Sequence, residues 1–168
     1  DWAREAVESL GRDGIINGKA EGIFAPEEEV TREEFVKMLM GVFAVPVQAA
    51  AAEFADADPQ AWYYPSVATA SVLGIIVGYS DSQFGVGDPI TRQDIAVICA
   101  RMLESRGLTL ERVRNYTGFE DSGDIADYAR DAVAQLYQGG IINGRSETEF
   151  APASHASRAE AAVMLYRI

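Results

Sequence analysis

The tripeptide Gly-Ile-Ile occurs three times in this chain, as Gly14-Ile15-Ile16, Gly74-Ile75-Ile76 and Gly140-Ile141-Ile142. Aligning on it gives copies offset by 60 and then 66 residues, in a register that holds without a gap over about 42 positions. A repeat of that length is one supersecondary unit that cannot bury its own apolar face, so the units must pack on one another. The expected fold is mainly α, with three helix-loop-helix repeats arranged as one pseudo-three-fold domain. The repeats are placed at residues 1–43, 62–103 and 128–168, with connectors at 44–61 and 104–127.

Each copy opens on an aromatic residue, Trp2, Trp62 or Tyr128, twelve positions before the glycine of the tripeptide. Apolar residues then follow at helical spacing, as in Trp2, Ala3, Ala6, Val7 and Leu10, which predicts a first helix stopping near Gly14, Gly74 and Gly140. A loop through Gly18, Gly78 or Gly144 leads to Phe24, Phe84 or Phe150. The second helix begins at Thr31, Thr91 or Ser157, whose hydroxyl is a good N-cap, and Glu34, Asp94 or Glu160 stands where a capping box needs it. The box should be weakest at Asp94, which is one methylene short. Phe35, Met38, Leu39 and Val42 form an apolar stripe, matched by Ile95, Ile98, Cys99 and Met102 and by Ala161, Met164 and Leu165, so Cys99 reads as core. Of the connectors, the first is alanine-rich around Ala49 to Ala52 and is expected to hold a helical turn after Pro46. The second carries Leu108, Leu110, Val113 and Tyr116 at partly helical spacing.

Composition narrows the function. The chain has 14 basic and 26 acidic residues, a net charge of -12, which opposes binding to a nucleic acid backbone. Pro59 to Ser80 is the longest uncharged stretch, but Pro65, Gly74 and Gly78 interrupt it and no membrane insertion is expected. A single cysteine leaves no disulfide framework. Asp56 and Asp58, and Asp121, Asp124 and Asp127, cluster ahead of first helices without EF-hand spacing, and read as solvated helix-entry caps; no metal site and no cofactor is expected. His155 is the only histidine and is not repeated, so a nucleophile and base are lacking and the chain is not read as an enzyme. The pattern runs from Asp1 to Ile168, which reads as a module of a longer polypeptide.

Trp-Ala-x-x-Ala-Val, Gly-Ile-Ile-Asn-Gly, Phe-x-Pro and Thr-Arg-x-Glu, three times over, resemble the S-layer homology domain. The most specific element is Thr31-Arg32-Glu33-Glu34, Thr91-Arg92-Gln93-Asp94 and Ser157-Arg158-Ala159-Glu160. Copy two departs from the pattern at Pro65, Val77, Val86 and Asp94, so it is expected either to bind differently or not to bind. The resemblance implies a trio that holds exported proteins non-covalently on the bacterial cell wall, at the cell surface or in its S-layer. The partner it implies is secondary cell-wall polysaccharide, often pyruvylated. The alternative is a self-assembly module of the surface layer that does not touch glycan.

Arg32, Arg92 and Arg158 stand at a helix N-terminus, where a cation is disfavoured by roughly 0.3–1 kcal/mol. Two roles are open for them: capture of a ligand carboxylate together with exposed helix N–H groups, or a salt bridge to an acidic residue of their own or the adjacent repeat. Trp2, Trp62 and Tyr128 are candidates for stacking on sugar rings, against a core or interface anchor as the plainer role. The loops at Gly18, Gly78 and Gly144 add Lys19, Tyr79, Ser80, Arg145 and Ser146 as donors. A ligand groove is expected between neighbouring repeats, joining an arginine of one to loop or helix residues of the next.

Overall fold

The computed structural model describes residues 2–20, 22–48 and 50–168. Among them are six α-helices: α1 (Arg4–Arg12), α2 (Arg32–Val42), α3 (Tyr64–Val72), α4 (Arg92–Ser105), α5 (Arg130–Gln138) and α6 (Arg158–Arg167). They form three pairs in chain order, one pair to each copy of the repeat.

The first helices stop as the glycines require. Gly14, Gly74 and Gly140 adopt φ of 70°, 71° and 78°, a left-handed conformation that costs glycine nothing. The next amide reaches back to the last turn, Ile15 N to Leu10 O, Ile75 N to Ala70 O and Ile141 N to Leu136 O, each at 2.9 Å. This closes a Schellman motif in every copy. Pro65 does not interrupt α3, because it sits in the first turn where its missing N–H has no helical partner to lose. The second helices start as the hydroxyls predict. Thr31 and Ser157 complete a capping box with Glu34 and Glu160, whereas Thr91 accepts from Asp94 N at 3.2 Å without the return bond. The shorter side chain is engaged elsewhere, as described below.

A ring of backbone hydrogen bonds marks the pseudo-three-fold axis. Val30 N donates to Ala156 O at 3.0 Å, Ala156 N to Ile90 O at 3.1 Å, and Ile90 N to Val30 O at 3.0 Å. These three residues are equivalent in the repeat and none is exposed to solvent. The helices close the same ring: α2 packs on α3, α4 on α5 and α6 on α1, so the tight helix pairs join different repeats. Neither helix of a repeat can bury its stripe without the neighbouring copy. Phe35, Phe84 and Phe150 are fully buried in the resulting core, each contributing about 2–3 kcal/mol of apolar burial. Cys99 is also buried, and burial pushes its thiol up to about 12, as expected of a core residue.

The first connector departs from the helical turn expected after Pro46. Residues 45–48 and 50–54 form no helix, and Ala49 lies outside the described residues. Their amides go to side chains of the following repeat instead, Gln48 N to Thr69 Oγ1 at 3.0 Å and Ala52 N to the Tyr64 hydroxyl at 3.1 Å. Residues 108–117 likewise run as a strap over the end of α5. There Val113 N bonds Gln138 O at 2.9 Å, and the Arg114 guanidinium stacks 3.8 Å over the Tyr137 ring. Leu108 and Val113 stay largely exposed, while Tyr116 packs on the rings of Phe119 and Tyr137.

Asp56 and Asp121 are not solvated caps. Asp56 accepts from the amides of Phe84, Gly85 and Val86 at 2.8, 2.7 and 3.0 Å. Asp121 accepts from Phe150 and Ala151 at 2.9 and 2.7 Å. Burial pushes the Asp56 carboxyl up, but the backbone donors outweigh it and hold it below its ordinary value. The lead-in segments therefore belong physically to the repeat they precede.

Candidate functional site: three equivalent grooves

The positions of the three arginines define the site. Arg32, Arg92 and Arg158 are only 3–4% exposed, and each guanidinium reaches into the next repeat around the ring. Arg92 donates Nε–H to Phe150 O at 2.9 Å and Nη2 to Asn143 O at 2.7 Å, and pairs with Glu160 at 3.3 Å. Arg32 makes the same set with Phe84 O, Val77 O and Asp94, at 3.0, 3.3 and 3.2 Å. Arg158 repeats it with Phe24 O, Asn17 O and Glu34, at 3.0, 2.7 and 3.4 Å. Each also lies 4.8–5.0 Å over the ring of Phe84, Phe150 or Phe24. Burial pulls the Arg92 guanidinium down from its ordinary value, with Glu160 opposing that shift.

At the start of each second helix the first and third amides are already engaged within the protein. Arg32 N, Arg92 N and Arg158 N donate to Asp88 O, Ser154 O and Glu28 O at 3.0, 3.0 and 2.8 Å, and the third amide of each helix goes to the capping hydroxyl. The expected helix-terminus anion site is thus taken up by the neighbouring repeat's own carbonyls. Thr31, Thr91 and Ser157 are spent on capping. Ser80 and Ser146 turn their hydroxyls to amides of their own loops, Ser82 N at 3.4 Å and Glu149 N at 3.0 Å.

What does converge is a groove beside each second helix, built from all three repeats. On α2 it is lined by Asn17, Gly18, Lys19, Glu34, Lys37 and Met38 of repeat 1, by Arg158 of repeat 3 and by Trp62 of repeat 2. The groove on α4 has Val77, Gly78, Tyr79, Asp94, Val97, Ile98 and Arg101, with Arg32 from repeat 1 and Tyr128 from repeat 3. The groove on α6 has Asn143, Gly144, Arg145, Glu160, Val163, Met164 and Arg167, with Arg92 from repeat 2 and Trp2 from repeat 1. The rule is the same each time: arginine from the preceding repeat, loop and helix from the central one, aromatic from the following one.

Trp2, Trp62 and Tyr128 are not core anchors. They are 65%, 56% and 59% exposed, because each helix begins two residues later and leaves the ring on the groove wall. Gly18, Gly78 and Gly144 are required by close approach: a Cβ on Gly18 would meet Ile23 O at 2.5 Å, and one on Gly144 would meet Glu149 O at 2.6 Å. The sequence alone did not single out Lys37, Val97 and Val163, or Arg101 and Arg167, and gave Met38, Ile98 and Met164 to the core stripe, whereas all of them line the grooves. Their signal was available, since Glu34, Lys37, Met38 and Gly41 stand at i, i+3, i+4 and i+7, a second helical face beside the core stripe.

The three grooves differ in chemistry. In the α2 groove Lys19 sits 2.7 Å from Glu34, and the Lys37 ammonium lies 4.9 Å over the Trp62 ring. In the α6 groove Arg145 pairs with Glu160 at 3.4 Å. The α4 groove is aromatic instead: Tyr79 covers the Arg32 guanidinium at 4.6 Å, and the Tyr128 hydroxyl donates to Asp94 at 2.8 Å. Asp94 is therefore shared between Arg32 and Tyr128 and, one methylene shorter than Glu34 and Glu160, does not also reach back to the Thr91 amide. Burial, then the bond to Asp94, pushes the Tyr128 phenol up to about 12.

No helix among the described residues is long and apolar enough to cross a membrane. The S-layer homology domain matches residues 1–36, 53–96 and 118–162. An amylopullulanase of Thermoanaerobacterium thermosulfurigenes is 32% identical over 166 residues, covering 99% of this chain and 9% of that protein. Exoglucanase XynX of Acetivibrio thermocellus is 33% identical over 166 residues, 99% of this chain and 15% of that protein. The surface-layer 125 kDa protein of Lysinibacillus sphaericus is 27% identical over 169 residues, 99% of this chain and 14% of that protein. The chain thus spans less than a fifth of each of these relatives, and three matched segments account for most of its own length: it belongs to the S-layer homology domain family, as a trio of the family's units.

Proposed function

We propose that this trio anchors the polypeptide carrying it to the bacterial cell wall, by holding anionic residues of the wall polysaccharide in the three grooves. Two glycan-degrading enzymes and a surface-layer protein share this stretch and, by name, little else, which fits a module for attachment and not for catalysis. One observation carries the finer reading. In a chain of net charge -12, every groove is lined by more cations than carboxylates. Lys19, Lys37 and Arg158 face one Glu34, a local charge of +2. Arg92, Arg145 and Arg167 face one Glu160, again +2, and Arg32 and Arg101 face one Asp94, or +1. With a screening length of about 8 Å at physiological salt, these local charges govern what enters. A pyruvyl ketal supplies the matching carboxylate on a sugar ring that the groove aromatic can stack against.

The groove volumes, about 200–430 Å³, suit a short stretch of polymer better than a protein partner. Each buried guanidinium has more N–H donors than its three protein partners take, so it can serve the ligand while holding the ring closed. Three sites on one module would raise retention on a multivalent wall well beyond the affinity of one.

The test is calorimetric titration with the pyruvylated terminal monosaccharide of the wall polymer and with its depyruvylated form, using wild type and a Lys37→Ala/Arg101→Ala/Arg167→Ala variant. Binding of the pyruvylated sugar alone, weakened in the variant, is expected. Equal binding of both sugars would overturn the carboxylate reading. Concentration-dependent association with no glycan binding would put self-assembly in its place.

A further inference from the structure

The groove on α4 does not end at Tyr128. Val97, Arg101 and Tyr128 line both this groove and a second cavity of about 530 Å³ between α4 and α5, so the three form a saddle joining two compartments. The second compartment exists because α4 has 14 residues where α2 has 11. The extra length, about one helical turn, carries Glu104 and leads into Leu108 and Thr109, while α5 packs alongside and supplies Asp131 and Gln135.

The chemistry changes across the saddle. On the near side Arg32 and Arg101 outnumber Asp94. On the far side Arg101 is the one lining cation against Glu104 and Asp131, a local charge of -1. The floor there is small and apolar, Ala100 and Ala132, and the rim offers carboxylate, amide and hydroxyl groups, with Glu104, Asp131, Gln135 and Thr109 all exposed. Carboxylate acceptors repel a second anion and accept from hydroxyls, while an amide serves either polarity of a sugar hydroxyl or acetamido group.

We infer that this trough is a second glycan subsite, holding the neutral sugar adjacent to the anionic one of the same polymer. The inference rests on the glycan reading of the grooves and extends it: the repeat 2 groove recognises two linked residues, one charged and one neutral. The departures of repeat 2 from the family pattern at Val77 and Asp94 then accompany a longer site with a weaker local charge.

The experiment titrates the wild type and a Glu104→Ala/Gln135→Ala variant with the terminal monosaccharide of the wall polymer and with the disaccharide that extends it by one neutral residue. Both substituted side chains are exposed, so the variant should keep its fold. Expected is a class of sites in the wild type that binds the disaccharide about tenfold tighter than the monosaccharide, from one or two added hydrogen bonds. The variant should lose that gain and leave monosaccharide affinity unchanged. Equal affinities for the two sugars in the wild type, or a gain that survives in the variant, would overturn the subsite while leaving the anchoring reading intact. Binding of neither sugar would overturn the anchoring reading, and the subsite with it.

Discussion

Arg92 donates its Nε–H to the carbonyl of Phe150 at 2.9 Å and stacks its guanidinium 5.0 Å over the ring of that same residue, 58 positions along the chain. One side chain thereby fixes both the backbone and the side chain that close the next repeat's loop. Arg92→Ala would leave the carbonyls of Phe150 and Asn143 without their guanidinium donor and Glu160 with Arg145 as its one remaining cation, and should destabilise the fold by about 3 kcal/mol. Arg92→Lys keeps the charge but not the planar fork, and should recover less than half of that. Chemical denaturation of the three proteins checks both. Loss of glycan binding in Arg92→Ala therefore carries weight only once its fold has been verified.

Gly78 holds its place for a steric reason. A Cβ there would collide with Gln83 O, and would meet Ser80 O at 2.6 Å and the Phe54 ring at 2.8 Å. Gly78→Ala should cost about 2–3 kcal/mol, since two of the three obstacles are backbone. Thermal unfolding monitored by circular dichroism reads this directly, and an unchanged midpoint would show that the loop can shift.

Asp56 gives the fold a dependence on acid. Its folded pKa lies below the ordinary 3.8, so its contribution is fully present above that value and is lost as pH falls through the folded one. Asp56→Asn should be less stable than the wild type by about 2 kcal/mol at pH 7. The difference should hold down to about pH 5 and close as pH falls below 4. Urea unfolding at a series of pH values would show the two curves converging on the acid side.

Trp62 separates binding from stability. It is 56% exposed, so Trp62→Ala should change stability by less than about 0.5 kcal/mol. It nevertheless forms the wall of the α2 groove and receives the Lys37 ammonium, and its loss should weaken binding at that groove about tenfold. Calorimetry should show one class of sites weakened and the others unaffected, because the α4 and α6 grooves take their aromatics from Tyr128 and Trp2.

Much of the fold was legible in the chain because it is local. Gly14, Gly74 and Gly140 end helices, and Thr31, Thr91 and Ser157 begin them, through backbone geometry and hydrogen bonds that span a few residues. The shortened box at Asp94 and the apolar stripe through Cys99 followed from the same short-range rules. The helical turn expected after Pro46 failed for the converse reason: Gln48 and Ala52 donate to Thr69 and Tyr64, partners that appear only once α3 is in place.

The site divides in the same way. The three-fold recurrence of arginine, carboxylate, glycine and aromatic was written in the sequence and identified the groove's parts. Tertiary structure decided how they combine, pairing Arg32 with Asp94 and Arg158 with Glu34, burying guanidiniums that could have faced solvent and exposing aromatics that could have been core. Nothing local distinguishes a bond within a repeat from one to its neighbour, since every copy offers the same partners. Closure of the ring through Val30, Ile90 and Ala156 makes that choice, by bringing each arginine to the following repeat and each aromatic back to the one before.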